Sequence, residues 1–301
     1  MPARRAVFIL LAIGALTFAA LGQKRPVTAR TVIFAVLNDG KSIEPIGYLD
    51  QKGKLTGAID GASERKVLNA FHKSYFPKGR VYPLIFGGKA AGSVTIVSSD
   101  PAAECGNFEG TVKTTTTRVP LRGSVMALAT NAKVDKPGSG IRRMPTAAER
   151  SEMESLVRAE FIKNGVAEAG TTNLRSLNLT ALDVDSDANA EVVGSYWVET
   201  SPKERGLLFF IAQRGSDGRY VFGYAEFSKV TKSDTMSEDI KDVDSGIYHE
   251  RLLDIFDVDS DGISEIFSYS MSFEGASFNV YKRNRTGWAK HYEGINYHCA
   301  Y

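Results

Sequence analysis

Two nine-residue stretches of this chain are near copies: Asp183-Val184-Asp185-Ser186-Asp187-Ala188-Asn189-Ala190-Glu191 and Asp257-Val258-Asp259-Ser260-Asp261-Gly262-Ile263-Ser264-Glu265. Each sets carboxylates at relative positions 1, 3, 5 and 9, between a run that reads as one β-strand and a run that reads as the next. Carboxylates crowded into one turn repel one another, so such a loop calls for a neutralising cation. Oxygen-only ligands suit a hard ion, Ca²⁺ above all.

The copies extend into their surroundings. The first unit reads as strands 177–182, 191–199, 206–214 and 219–227, and the second as strands 252–256, 265–273, 276–283 and 288–294. Both units carry the acidic loop after their first strand and a Gly-containing turn before their last, at Gly218 and Gly287. Two four-stranded antiparallel units, at about 174–230 and 248–301, form an internal repeat within residues 166–301. They are propeller-blade-like but not a full propeller, since closure takes about 4–8 blades. The repeats can therefore form an open arc, a two-sheet sandwich or part of an oligomeric ring, and compact intramolecular packing is favoured.

The pattern Asp-x-Asp-x-Asp-Gly-x-x-Glu between strands resembles the calcium loop of FG-GAP/VCBS repeats, the integrin α-like blade units of many exported bacterial proteins. The resemblance is limited to about residues 175–300. It implies that Asp257, Asp259, Asp261 and Glu265 give side-chain oxygens and Ile263 a backbone carbonyl. In the first loop it implies Asp183, Asp185, Asp187 and Glu191, with the carbonyl of Asn189. Two structural Ca²⁺ ions follow. The first loop departs from the pattern with Ala188 where Gly is expected, and both loops end in Glu where the integrin pattern has Asp. A fragment from Asp242 to Gly246 copies the start of the motif without its middle carboxylate and reads as a metal-free loop.

Upstream, Arg4 and Arg5 precede the apolar run Ala6–Leu21, and Ala20-Leu21-Gly22 suits a cleavage site, so residues 1–22 read as a signal peptide. A membrane anchor left uncleaved is the runner-up. Residues 23–131 read as a β-rich domain with one helix, whose face is Val67, Leu68, Phe71 and Tyr75 and whose cap is Ser63. Strands are expected at 31–37, 54–59, 81–86, 92–97, 110–114 and 121–130. Residues 132–145 read as a linker and 146–165 as an amphipathic helix opened by a capping box at Thr146 and Glu149. The fold class is therefore mainly β with a few helices (α+β). Cys105 and Cys299 permit one disulfide in an exported chain, but two cysteines so far apart in sequence are seldom neighbours.

Charge is split between the halves. Residues 23–140 hold 17 Lys and Arg against 9 Asp and Glu, and residues 141–301 hold 18 against 26. The basic half could meet an anionic envelope surface or face the acidic half; no nucleic acid is expected as a partner. Catalytic signals are thin: no nucleophile elbow, P-loop or dinucleotide fingerprint is present. His249-Glu250 lacks the second His of a zinc protease, and His72, His291 and His298 are isolated in sequence. The His298-Cys299 pair could bind a soft metal or act as a nucleophile, but no further ligand lies near it in sequence, and Asp254 reads as a strand-end charge. The favoured function is an exported, calcium-stabilised, non-catalytic protein that binds a protein, a glycan or an envelope surface. A hydrolase with a site assembled from sequence-distant residues, and a purely structural envelope component, are the alternatives.

Overall fold

The computed structural model describes residues 30–116, 120–123, 125–134 and 142–299. The segment read as a signal peptide and the centre of the linker lie outside them. Among the described residues no helix is long and apolar enough to cross a membrane.

The N-terminal half contains β1 (Thr31–Leu37), β2 (Ser42–Leu49), β3 (Leu55–Thr56), α1 (Arg65–Tyr75), β4 (Val81–Phe86), β5 (Lys89–Ser98), β6 (Gly110–Thr116) and β7 (Ala127–Thr130). Their order is β1-β7-β4-β5-β6-β2, and β2 pairs back onto β1, so six strands close into a barrel with β3 appended to β2. Strand β2 escapes the sequence reading because Pro45 and Gly47 interrupt its apolar pattern. It tolerates proline because its ladder to β6 covers only Ser42 and Ile43, which leaves Pro45 paired with a strand on the β1 side alone.

Side chains alternate along β1. Val32, Phe34 and Val36 fill the barrel, while Ile33, Ala35 and Leu37 pack outward. Helix α1 closes the barrel with Leu68, Phe71 and Tyr75, but Val67 is exposed, contrary to the face expected. Ser63 does not cap the helix; its hydroxyl bonds to Asp60 in the turn before it. His72 is buried and satisfied, with Nδ1 2.9 Å from Ser99 Oγ and Nε2 2.8 Å from the Asn107 carbonyl.

Two residues at the end of the expected linker form β8 (Arg142–Arg143), and α2 (Ala147–Lys163) follows. The capping box is present: Glu149 N donates to Thr146 Oγ1 at 3.2 Å, and Thr146 N donates to Glu149 Oε2 at 2.7 Å. Met153, Val157 and Phe161 of α2 are fully buried.

The repeat is plain in the topology. The first unit is β9 (Arg175–Leu182), β10 (Glu191–Ser201), β11 (Glu204–Arg214) and β12 (Tyr220–Thr231), with β8 added beside β9. The second is β13 (Glu250–Phe256), β14 (Glu265–Met271), β15 (Gly275–Asn284) and β16 (Gly287–Tyr297). Both are antiparallel meanders. A short helix α3 (Lys241–Asp244) stands between them, where the partial acidic motif reads as loop. Asp244 is held there by Arg205, whose Nε donates to it at 2.6 Å.

The layers stack in one direction. Helix α2 covers one face of the first sheet. The other face of that sheet, with Val193, Phe209 and Ile211, packs against Ile255, Ile266 and Tyr281 of the second. The far face of the second sheet, with Leu253, Phe267 and Phe278, meets Ile33, Ile85 and Leu128 on the outer wall of the barrel. The two units thus form a sandwich. Tyr196 and Tyr220 are buried under α2, Trp197 beside α3 and Tyr269 against the barrel, so these rings give little exposed contact area.

Candidate metal centre

Each acidic loop bridges the first two strands of its unit, β9 to β10 and β13 to β14, and the two loops share one backbone design. Ser186 and Ser260 both lie at φ 61°, and the sixth positions, Ala188 and Gly262, lie at φ 67° and 89°. The left-handed region costs little for glycine and about 1–2 kcal/mol for a residue with a Cβ. Ala188 therefore holds a strained conformation that its counterpart adopts freely.

The hydrogen bonds match as well. Asp183 Oδ2 accepts from Ala188 N at 3.2 Å, as Asp257 Oδ2 accepts from Gly262 N at 3.1 Å. Asp187 Oδ1 accepts from Asn189 N at 2.7 Å, and Asp261 Oδ1 from Ile263 N at 2.9 Å. Glu191 Oε2 accepts from Val184 N at 3.4 Å, and Glu265 Oε2 from Val258 N at 3.0 Å. These bonds turn the carboxylates of each loop toward one another. Ligand oxygens of Asp183, Asp185 and Asp187 come within 4.8 Å of one another, as do those of Asp257, Asp259 and Glu265. Glu191 and Asp261 stand outside these two groups of three.

Two residues that the sequence reading passes over complete the picture, both from β15. Lys282 Nζ contacts Asp259, lies 2.9 Å from Asp261 Oδ2 and 3.3 Å from Glu265 Oε1. Arg283 crosses to the first loop, pairing with Asp185 and Glu191. The signal is a pair of basic residues at the end of a third strand, readable only once the register that places them over the loops is known. Burial works against the Lys282 ammonium, but its carboxylate partners outweigh that and raise its pKa. Burial pushes Glu191 up to about 7 despite Arg283, and raises Glu265 too. Asp187 is held low by its bonds from Asn189, and Asp261 by Lys282 and the Ile263 amide.

Each loop still has four carboxylates against one cationic side chain. Asp185 Oδ1, Asp257 Oδ1 and Asp259 Oδ1 are buried atoms without a hydrogen-bond partner. Such oxygens carry a desolvation cost that a coordinated ion would offset. The donor set therefore fits a hard divalent cation.

The loops also meet each other. Ser264 N donates to the Val184 carbonyl at 2.7 Å, joining the end of one loop to the start of the other. Both open on a cavity of about 510 Å³ lined by Asp183, Asp185 and Asp257 together with Lys89 and Lys133 of the N-terminal half. Basic and acidic halves thus face each other at the loops. At Gly53, in the turn before β3, an added Cβ would lie 2.3 Å from Asp259 Cβ, so only glycine lets this barrel turn rest on the second loop.

Other sequence candidates resolve differently. Asp254 is wholly buried rather than a strand-end charge. A bulge at Leu253 turns it toward the barrel, where Gly87 N donates to both its oxygens at 2.9 Å and Arg142 Nη1 stands 3.3 Å away. His249 points its Nε2 at the Val243 carbonyl, 2.9 Å away, while Glu250 accepts from Tyr281 Oη at 2.7 Å, so the two make no joint site. Cys105 and Cys299 are bonded, with Cα atoms 5.3 Å apart, against the expectation from their separation. His298 is not isolated in space; its Nε2 lies 3.1 Å from Glu44 Oε1. Comparison of the chain with protein-family models, curated proteins and solved structures gives no match. The likeness of the loops to calcium-binding repeats rests on their own residues.

Proposed function

We propose that this chain is an exported, calcium-stabilised, non-catalytic binding protein of the cell envelope or exterior, with one structural Ca²⁺ in each acidic loop. The observation that supports it is the matched pair of loops with three buried, unpartnered carboxylate oxygens. The ion would act as a clip at the seam of the two sheets and the barrel. Side-chain oxygens of Asp257, Asp259 and Glu265 would hold it in the second loop, and those of Asp183, Asp185 and Asp187 in the first. Binding energy at such a site becomes folding energy. The partner is a protein, glycan or envelope polymer.

A hydrolase reading gains little support. The polar cavity between the sheets that gathers His249, Glu250, Glu226 and Lys290 holds about 180 Å³, below the ~300 Å³ at which small-molecule sites begin.

Melting curves in Ca²⁺ and in chelator test the proposal. Extracellular calcium modules bind at ~10⁻⁴–10⁻³ M, so a hundredfold excess stabilises by ~2.7 kcal/mol per loop. The expected result is a melting temperature several degrees higher in calcium. Coincident curves would mean that Lys282 and Arg283 alone neutralise the loops, and the calcium assignment would fall. Calcium-dependent co-sedimentation with envelope polymers would then test the binding role.

A further inference from the structure

A second group of possible ligands lies at the opposite seam, where the last strand meets the barrel. Glu44 comes from β2, Glu109 immediately precedes β6, and His298 immediately follows β16. One ligand atom from each lies within 4.8 Å of the others. Glu44 is 1% exposed, and its Oε2 has no hydrogen-bond partner. Its Oε1 receives bonds from Asn296 Nδ2 at 2.7 Å and faces His298 Nε2 at 3.1 Å.

We propose that Glu44, Glu109 and His298 form a binding site for a divalent transition-metal ion of the Zn²⁺ class. One imidazole nitrogen and two carboxylates are a donor set such ions take, with a fourth position left for water. Ligands about 2.1 Å from a tetrahedral ion stand about 3.4 Å apart, close to the His298–Glu44 separation. A dication would balance the charge of the ionised carboxylates, and one held through both oxygens of Glu44 would give the orphaned Oε2 a partner.

The surroundings hold the ligands in place. Asn296, itself buried, orients the Glu44 carboxylate, in the way outer hydrogen bonds orient metal ligands. Phe108 packs its ring 5.0 Å from that of His298. The disulfide joins Cys299, next to His298, to Cys105, four residues before Glu109, so a covalent bond ties together the two segments that carry these ligands. His298 N also donates to the Glu274 carbonyl at 2.7 Å, and Gly61 N to the Tyr297 carbonyl at 3.1 Å. An ion here would clip the end of the second repeat to the barrel.

The test uses the oxidised, untagged full chain, stripped with chelator and returned to millimolar Ca²⁺ so that the acidic loops are supplied. Titration with Zn²⁺ should show one tight equivalent, and Co²⁺ should give a tetrahedral visible spectrum that Zn²⁺ abolishes. His298→Asn and Glu109→Gln should each weaken zinc binding by more than the ~10–100-fold that loss of an outer hydrogen-bond partner costs. The Co²⁺ spectrum of the unaltered chain guards against a variant that misfolds. The competing arrangement, a protonated His298 between two carboxylates, requires no such spectrum. Its absence, or zinc uptake that survives both substitutions, overturns the proposal.

Discussion

At the scale of single residues, the two acidic loops offer a controlled comparison. They share hydrogen bonds and backbone, and differ at the sixth position in whether the left-handed conformation is strained, Ala188 at φ 67° against Gly262 at φ 89°. Ala188→Gly should therefore stabilise the protein by up to ~1 kcal/mol, and Gly262→Ala should destabilise it by a similar amount. Denaturant unfolding measures both. Equal and opposite shifts support strain at the loop; two destabilisations contradict it, since nothing lies within 4 Å of a Cβ built on Gly262. The carboxylates and this contrast are legible in the sequence because the loop is local, its spacing set by a single turn. Lys282 and Arg283 are not legible, since they reach the loops only through the register of β15, and Arg283 does so across the sheet interface. His298 escapes for the same reason: the nearest charged group, Glu44, lies 254 residues away along the chain.

Among elements, the two-residue strand β8 carries more than its length suggests. It pairs with β9, while Arg142 donates to the Met126 carbonyl at 3.0 Å and the Leu253 carbonyl at 2.8 Å, and pairs with buried Asp254. The Arg142 guanidinium thus touches the barrel and the second repeat, while the backbone of the same strand pairs with the first. Burial pushes Asp254 up to about 6 and works against the charge on Arg142, so the pair survives through its geometry and the Gly87 and Ile255 amides. Arg142→Met alone would strand that carboxylate and should cost about 3–5 kcal/mol. Adding Asp254→Asn should recover much of the loss, because the amide oxygen still accepts from Gly87 N. A double variant no more stable than the single one in urea unfolding would show that Asp254 is not the reason for the loss. Elements with local signals follow the sequence closely: α2 has its capping box, and all eight repeat strands are found. Apart from the Ser63 cap and the Val67 face of α1, the misses are non-local. Strand β2 hides behind Pro45, and barrel closure depends on its pairing with β1, which no local pattern announces.

For the whole molecule, the bond between Cys105 and Cys299 spans 194 residues and joins the barrel to the end of the last strand. In the chain-entropy model a loop of that length restricts the unfolded ensemble by about 5 kcal/mol. Reduction should therefore lower the urea midpoint by several kcal/mol in equivalent stability, and the Cys105→Ser/Cys299→Ser variant should match the reduced protein. An unchanged midpoint would show that the packed layers alone set stability. Those layers have a consequence of their own. The second repeat is covered on both faces, by the barrel on one side and by its own duplicate on the other. The first repeat has helix α2 on its far face instead. Two copies of one unit have thus come to occupy unequal stations, one a flank and the other a keystone. Neither outer layer can lift away without baring the same middle sheet, so what began as a tandem pair behaves mechanically as a single body.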